Sequence, residues 1–201
     1  MAPSPLQIGF LASHGGSSMR AIVDAIQSGA LPGSARIVVS NNADAPALAF
    51  AREHGVPAQH ISATASGGEA AADRAICEAL RAHGAEWLVL SGYLRKLGPL
   101  TLKQFERRIL NIHPALLPKF GGRGMFGRHI HEAVLAAGES VSGVTIHHVD
   151  DEYDHGAIIA QREVPVRPDD TVETLQQRIT ATEPQFFVET LQALAEGRLK
   201  L

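Results

Sequence analysis

The sequence predicts an α/β fold built on a mostly parallel sheet with helices on both faces. Three observations carry this. Short apolar runs alternate with segments of helical periodicity through the first hundred residues. Gly/Ser or Asn clusters separate them, as strand-to-helix turns require. The 201 residues are 45% hydrophobic, enough to fill one core. Right-handed crossovers between parallel strands then place helices above and below the sheet.

The elements follow in order. Leu6 to Ala12 reads as a buried strand, and Ser13 to Ser18 as a turn. Met19, Ile22, Val23 and Ile26 recur at helical spacing. Arg36 to Val39 is a second strand, followed by a helix around Ala45 to Glu53 and a weaker strand over Val56 to Ile61. Glu69 to Ala82 is a helix with Ala72, Ile76, Ala79 and Leu80 on one side, and Trp87 to Leu90 is a strongly apolar strand. After Ile109 to Ile112 the rhythm changes. A glycine-rich loop, Gly121 to Gly124, precedes a helix over Arg128 to Ala137. Val144 to Val149 and Ala157 to Val166 read as strands joined by the acidic loop Asp150 to Gly156. Asp170 and Glu173 form a capping pair that opens a long last helix. That helix buries Val172, Leu175, Ile179, Phe186, Phe187, Leu191 and Leu194, and Pro184 should kink or split it. There is no internal repeat or linker, so a single domain over 1–201 is expected.

Composition excludes several classes. A net charge of −3 gives no global field toward nucleic acid or anionic lipid. No apolar stretch approaches the ~18 residues that a membrane span needs. Met1 to Pro5 lacks the basic and apolar pattern of a secretory leader. A cytoplasmic protein without nucleic-acid or membrane partners is expected. Cys77 is the single cysteine, so there is no disulfide framework, and its helical setting fits a small buried hydrophobe. Basic side chains, Arg95, Lys96, Lys103, Arg107, Arg108, Lys119, Arg123 and Arg128, flank the centre of the chain. They fit either a solvated surface or a mouth that attracts an anionic small molecule.

The most informative stretch is Asn111-Ile112-His113-Pro114-Ala115-Leu116-Leu117-Pro118. Residues two apart on a strand face the same way, so an amide donor and an imidazole share one side. Pro114 cannot continue a central strand, so the segment ends at an edge or tip. Acyl transfer needs such a pair: a donor for the developing oxyanion and a carrier of protons. Asp154-His155-Gly156 adds a carboxylate further along. Ser13-His14-Gly15-Gly16-Ser17-Ser18 stands between the first strand and helix, where backbone amides bind phosphate and glycine permits close approach. It is neither a Walker loop nor a full G-x-G-x-x-G fingerprint, and an ordinary turn fits it equally. His129, His131, His147 and His148 form no recognised zinc spacing, and His147 and His148 alternate across a strand so that only one faces inward. No metal is expected.

Four segments together resemble the folate-dependent formyltransferases: Leu90-Ser91-Gly92-Tyr93-Leu94-Arg95, Asn111 to Pro118, Ser142-Gly143-Val144-Thr145-Ile146-His147, and Asp154-His155-Gly156-Ala157-Ile158-Ile159. The resemblance extends, more weakly at the start, over the whole chain. It implies a Rossmann-like, mostly parallel twisted sheet with an antiparallel C-terminal extension. It also implies formyl transfer from 10-formyltetrahydrofolate, as co-substrate, to the amine of glycinamide ribonucleotide, the purine-pathway reaction, with no metal. The catalytic positions map to Asn111, His113 and Asp154. The phosphate of the ribonucleotide maps to Gly16, Ser17 and Ser18, and its further contact to Glu183. The folate pocket maps to Leu94, Arg95 and Leu97, closed by the loop containing Asp150 and Asp151. Residues 1–100 would form the nucleotide-phosphate half and 101–201 the folate-binding and catalytic half of a monomer or homodimer.

This chain departs from the family pattern in three places. His14-Gly15-Gly16-Ser17-Ser18 replaces the commoner Gly-Asn-Gly-Ser-Asn. Gly121 to Gly127 replaces and lengthens a Pro-Gly-x-His segment. Pro184 follows Glu183 and disfavours helix there. These touch the acceptor side, so another amine acceptor such as a sugar nucleotide, or hydrolysis of 10-formyltetrahydrofolate, stays open. So does a non-catalytic Rossmann-type nucleotide-binding module.

Overall fold

A computed structural model describes residues 5–200. The expected lack of a leader at Met1 to Pro5 concerns residues that, Pro5 apart, lie outside this range. Seven strands form one sheet in the order β3-β2-β1-β4-β5-β6-β7. The first five, β1 (Leu6–Leu11), β2 (Gly33–Ser40), β3 (Ala58–His60), β4 (Trp87–Leu90) and β5 (Ile109–His113), pair in parallel. The last two, β6 (Val141–His148) and β7 (Ile158–Pro165), are antiparallel to their neighbours.

Alternation along each strand sends side chains to two cores. Ile8 and Phe10 of β1, Val38, Val89 and Leu110 face one side. There they meet α1 (Ser17–Gln27), α2 (Pro46–Glu53), α6 (Arg128–Ala136) and α7 (Val172–Ala195) through Met19, Ile22, Leu48, Val134, Leu175 and Phe187. Leu11, Ile37, Val39, Leu88 and Ile109 face the other. They pack on Ile76, Ala79 and Leu80 of α4 (Glu69–Ala82) and on Phe105 behind α5 (Pro99–Gln104). The short α3 (Ala63–Ser66) is capped by the Ser62 hydroxyl, which accepts from the Ala65 amide. Cys77 is half-buried on α4, and burial pushes its thiol up.

Two expectations at α7 are corrected. The helix opens on Thr171, not on Asp170 with Glu173: the Thr171 and Thr174 side chains each accept from the other residue's amide. The Asp170 carboxylate is taken instead by Arg178, with contacts of 2.6 and 2.7 Å, and by the Arg167 amide. These hold it below the usual carboxylate range. Glu173 is paired with Arg128. Nor does Pro184 split the helix, which runs unbroken from Val172 to Ala195. Pro184 removes one amide, but Leu175 and Ile179 on one side, and Phe186, Phe187 and Leu191 on the other, are buried in the same core. Val172 and Leu194 are only half-buried. Among the described residues no helix is long and apolar enough to cross a membrane.

Candidate active site

Open α/β sheets bind ligands beyond the carboxyl ends of their strands, and this sheet has a cavity there. The cavity measures about 700 Å3 and is lined by residues following β1, β4 and β5, by the β6–β7 loop, and by Glu183 of α7.

At the end of β1 the chain turns into α1 through Gly16, in the left-handed region at φ 62°. A side chain there would meet Met19 at 3.0 Å and the Ala12 and Ala47 methyls. Among the described residues no side chain caps α1. Gly16, Ser17 and Ser18 therefore present a helix N-terminus to the cavity, the arrangement that suits an anion. Ser13 ties this turn to the loop after β4: its hydroxyl donates to Asn41 Oδ1 at 2.6 Å and accepts from the Leu94 amide at 2.8 Å. Ser91 does the same from the other side, accepting from the Met19 amide at 3.0 Å.

Asn111 and His113 stand at the tip of β5, on one side of the strand, and the strand ends before Pro114. His113 is buried. Its Nε2 donates to the Phe120 carbonyl at 2.8 Å, which leaves Nδ1 for other partners. Nδ1 lies 3.4 Å from Asp154 Oδ2. That same oxygen accepts from the Gly122 amide at 3.0 Å. Asp154 sits at φ 56°, a backbone region that Asp tolerates better than most residues. The glycine-rich replacement loop is thus part of the site: Gly122 through Gly127 line the cavity, and Gly122 holds the carboxylate.

His147 was not singled out in the sequence, yet it completes the cluster. It faces Asn111 directly across the β5–β6 ladder. Its ring is buried, with Nε2 3.1 Å from Asn111 Nδ2 and 3.6 Å from Asp154 Oδ1. Nδ1 donates to the His148 carbonyl at 2.8 Å. Burial holds its pKa below the ordinary histidine value, against the pull of Asp154. In the sequence His147 closes the Ser142–His147 segment of the resemblance and alternates with His148, and neither signal pairs it with Asn111.

Glu183 lines the cavity despite Pro184, and burial lifts its carboxyl to about 7. Leu94 and Arg95 line it too. Leu97 does not; it lines an adjoining cavity of about 790 Å3 that shares Tyr93, Leu94, Arg95 and Tyr153. The Asp150 and Asp151 side chains line neither cavity. Asp150 caps the amide of Glu152 at 2.9 Å and faces His155, because the acidic turn uses it to close on itself. Residues from both halves of the chain line this cavity. Leu94 and Arg95 precede residue 100, while Asn111, His113, Asp154 and Glu183 follow it. No group of three His, Cys, Asp or Glu side chains suited to a metal occurs among the described residues.

Comparison with known proteins places this geometry in a class. Residues 6–191 match the formyl transferase family model, and the chain belongs to that family. It is 39% identical over 187 residues to the chloroplastic phosphoribosylglycinamide formyltransferase of Vigna unguiculata, covering 93% of this chain and 60% of that relative's length. It is 34% identical over 196 residues to the phosphoribosylglycinamide formyltransferase of Escherichia coli strain K12, covering 98% of this chain and 90% of the relative. The crystal structure of glycinamide ribonucleotide transformylase 1 from Symbiobacterium toebii superposes with a TM-score of 0.89 at 40% identity, covering 98% of this chain and 91% of that one.

Proposed function

We propose that this protein transfers the formyl group of 10-formyltetrahydrofolate to the primary amine of glycinamide ribonucleotide. The observation that carries the reading is the convergence of Asn111, His113 and Asp154 on the cavity that the α1 N-terminus also enters. A phosphate at Gly16 to Ser18 would anchor the acceptor, with Glu183 as its second contact. The pteridine would lie against Leu94, Arg95 and Leu97, beneath the loop that holds Asp150 and Asp151.

In the reaction the amine nitrogen attacks the formyl carbon and the carbonyl electron pair moves to oxygen. The Asn111 amide and Nδ1 of His113 in its protonated form are the donors for that oxyanion. As the tetrahedral adduct collapses, the bond to folate N10 breaks. The proton lost by the amine balances the one gained by N10. His113 is the carrier, and Asp154 stabilises the positive charge it bears in transit. No covalent enzyme intermediate is required.

The test follows deformylation of 10-formyl-5,8-dideazafolate by absorbance. Turnover is expected with glycinamide ribonucleotide and not without an acceptor. Acceptor-independent turnover would make the protein a hydrolase; turnover only with another amine, such as an amino sugar nucleotide, would replace the acceptor.

A further inference from the structure

We propose that His147 is a positioning residue: its Nε2 lone pair grips one hydrogen of the Asn111 amide and so aims the other at the reacting carbonyl. The inference rests on the function proposed above and extends it to a residue outside the catalytic three.

The argument runs from a carbonyl outward. The His148 carbonyl can only accept, so the His147 nitrogen 2.8 Å away, Nδ1, carries the hydrogen. A neutral imidazole with its proton on Nδ1 has a bare Nε2. The Asn111 group 3.1 Å from Nε2 must then be the NH2 end of the amide and not the oxygen. The two N–H bonds of a primary amide diverge within one plane. Fixing one direction therefore fixes the other, which has no hydrogen-bond partner among the described residues and belongs to a side chain that lines the cavity. Without Nε2 the amide could turn over and offer oxygen to the oxyanion, where it would repel.

The support behind His147 is also built in. β7 carries one extra residue, Ile159, between the partners of Ile146 and His147. A Cβ on Gly156 would collide with the His148 carbonyl, so the turn that delivers Asp154 leaves that carbonyl free to hold the ring. A purely structural histidine would not need its second nitrogen turned to a cavity-lining amide.

Two measurements test this. Nitrogen-15 NMR of the ring at neutral pH, without substrates, should report a proton on Nδ1 and none on Nε2. A proton on Nε2 would overturn the proposal whatever the enzyme's acceptor. Kinetics then use a double-mutant cycle. Loss of an oxyanion donor lowers kcat roughly 10²–10³-fold, so a donor left unaimed in His147→Leu should cost about 10–100-fold with both KM values nearly unchanged. His147→Gln, which keeps an acceptor oxygen, should recover most of that loss. In an Asn111→Ala background His147→Leu should add little. An equal loss in that background, no loss at all in a folded His147→Leu, or a folded Gln variant as slow as Leu would each overturn it. Failure of the wild type to formylate glycinamide ribonucleotide would instead strike the proposed function, and the NMR result would still decide the ring's role.

Discussion

His113 and Asp154 meet Nδ1 to Oδ2 at 3.4 Å, and the opposite ring nitrogen is already bound to the Phe120 carbonyl. The ring is held at both ends, so it can gain or lose its mobile proton only on the side of the carboxylate. Asp154→Asn keeps the shape and removes the charge. It should leave both substrate affinities near wild type and lower kcat about 10²–10⁴-fold, the range for a positioned proton carrier. His113→Ala should lose a similar amount, and the double variant far less than the product of the two. Steady-state kinetics at saturating substrates decides the matter; multiplicative losses would mean the two groups work separately.

Gly16 takes a positive φ of 62° with Met19, Ala12 and Ala47 crowded around the missing side chain. Gly16→Val should raise KM for the ribonucleotide at least ten-fold more than KM for the folate, because it tilts the amides that meet the phosphate. Comparable increases for both substrates would show general damage and remove the phosphate assignment.

Glu183 binds its proton more tightly in the folded protein, with a pKa of about 7, than in the unfolded chain, at 4.5. A raised pKa stabilises the fold below the unfolded value, and that contribution is lost as pH climbs through the folded value. Glu183→Gln should therefore match the wild type in thermal stability at pH 4 and exceed it at pH 8. The same change should weaken binding of the ribonucleotide while folate-analogue binding is unaltered, as calorimetric titration can read. An identical pH profile in the two proteins would mean that the carboxylate is solvated.

At the start of α7 the helix cap and the neighbouring ion pair can be separated. Thr171→Ala removes the cap and should lower stability by about 1 kcal/mol. Asp170→Ala strips Arg178, the Arg167 amide and the Thr174 hydroxyl of their acceptor. It should cost more, about 2–3 kcal/mol, since hydrogen bonds to charged groups are the stronger ones. Urea unfolding of both variants measures the difference; equal midpoints would contradict it.

Local pattern made part of this protein legible and long-range pairing hid the rest. The span Glu69 to Ala82 and the span Trp87 to Leu90 are read correctly because periodicity and turn residues mark both ends. Asn111 and His113 stand out because spacing on one strand suffices to bring them together. His147 does not, because its partner lies on another strand and the register is set by pairing that no local pattern displays. Asp170 has the composition of a cap, but a guanidinium two turns along the helix competes for its oxygens. Pro184 reads as a break, yet the buried residues on either side outweigh one lost amide bond. Asp150 and Asp151 share a loop with Asp154, but sequence proximity could not say which carboxylate turns inward.

One feature of the β6–β7 hairpin bears on how this scaffold can vary. Side chains on a strand change face with every residue, so His147 and His148 are interchangeable to the sheet and not to the site. A single-residue insertion ahead of His147 would send it outward, while the extra residue Ile159 on the neighbouring strand sets the pairing that keeps it in place. The Gly122–Gly127 segment carries no such parity, and only its first amide holds Asp154. Length changes among descendants of this gene should therefore accumulate in that loop, while the hairpin drifts in composition but stays fixed in count.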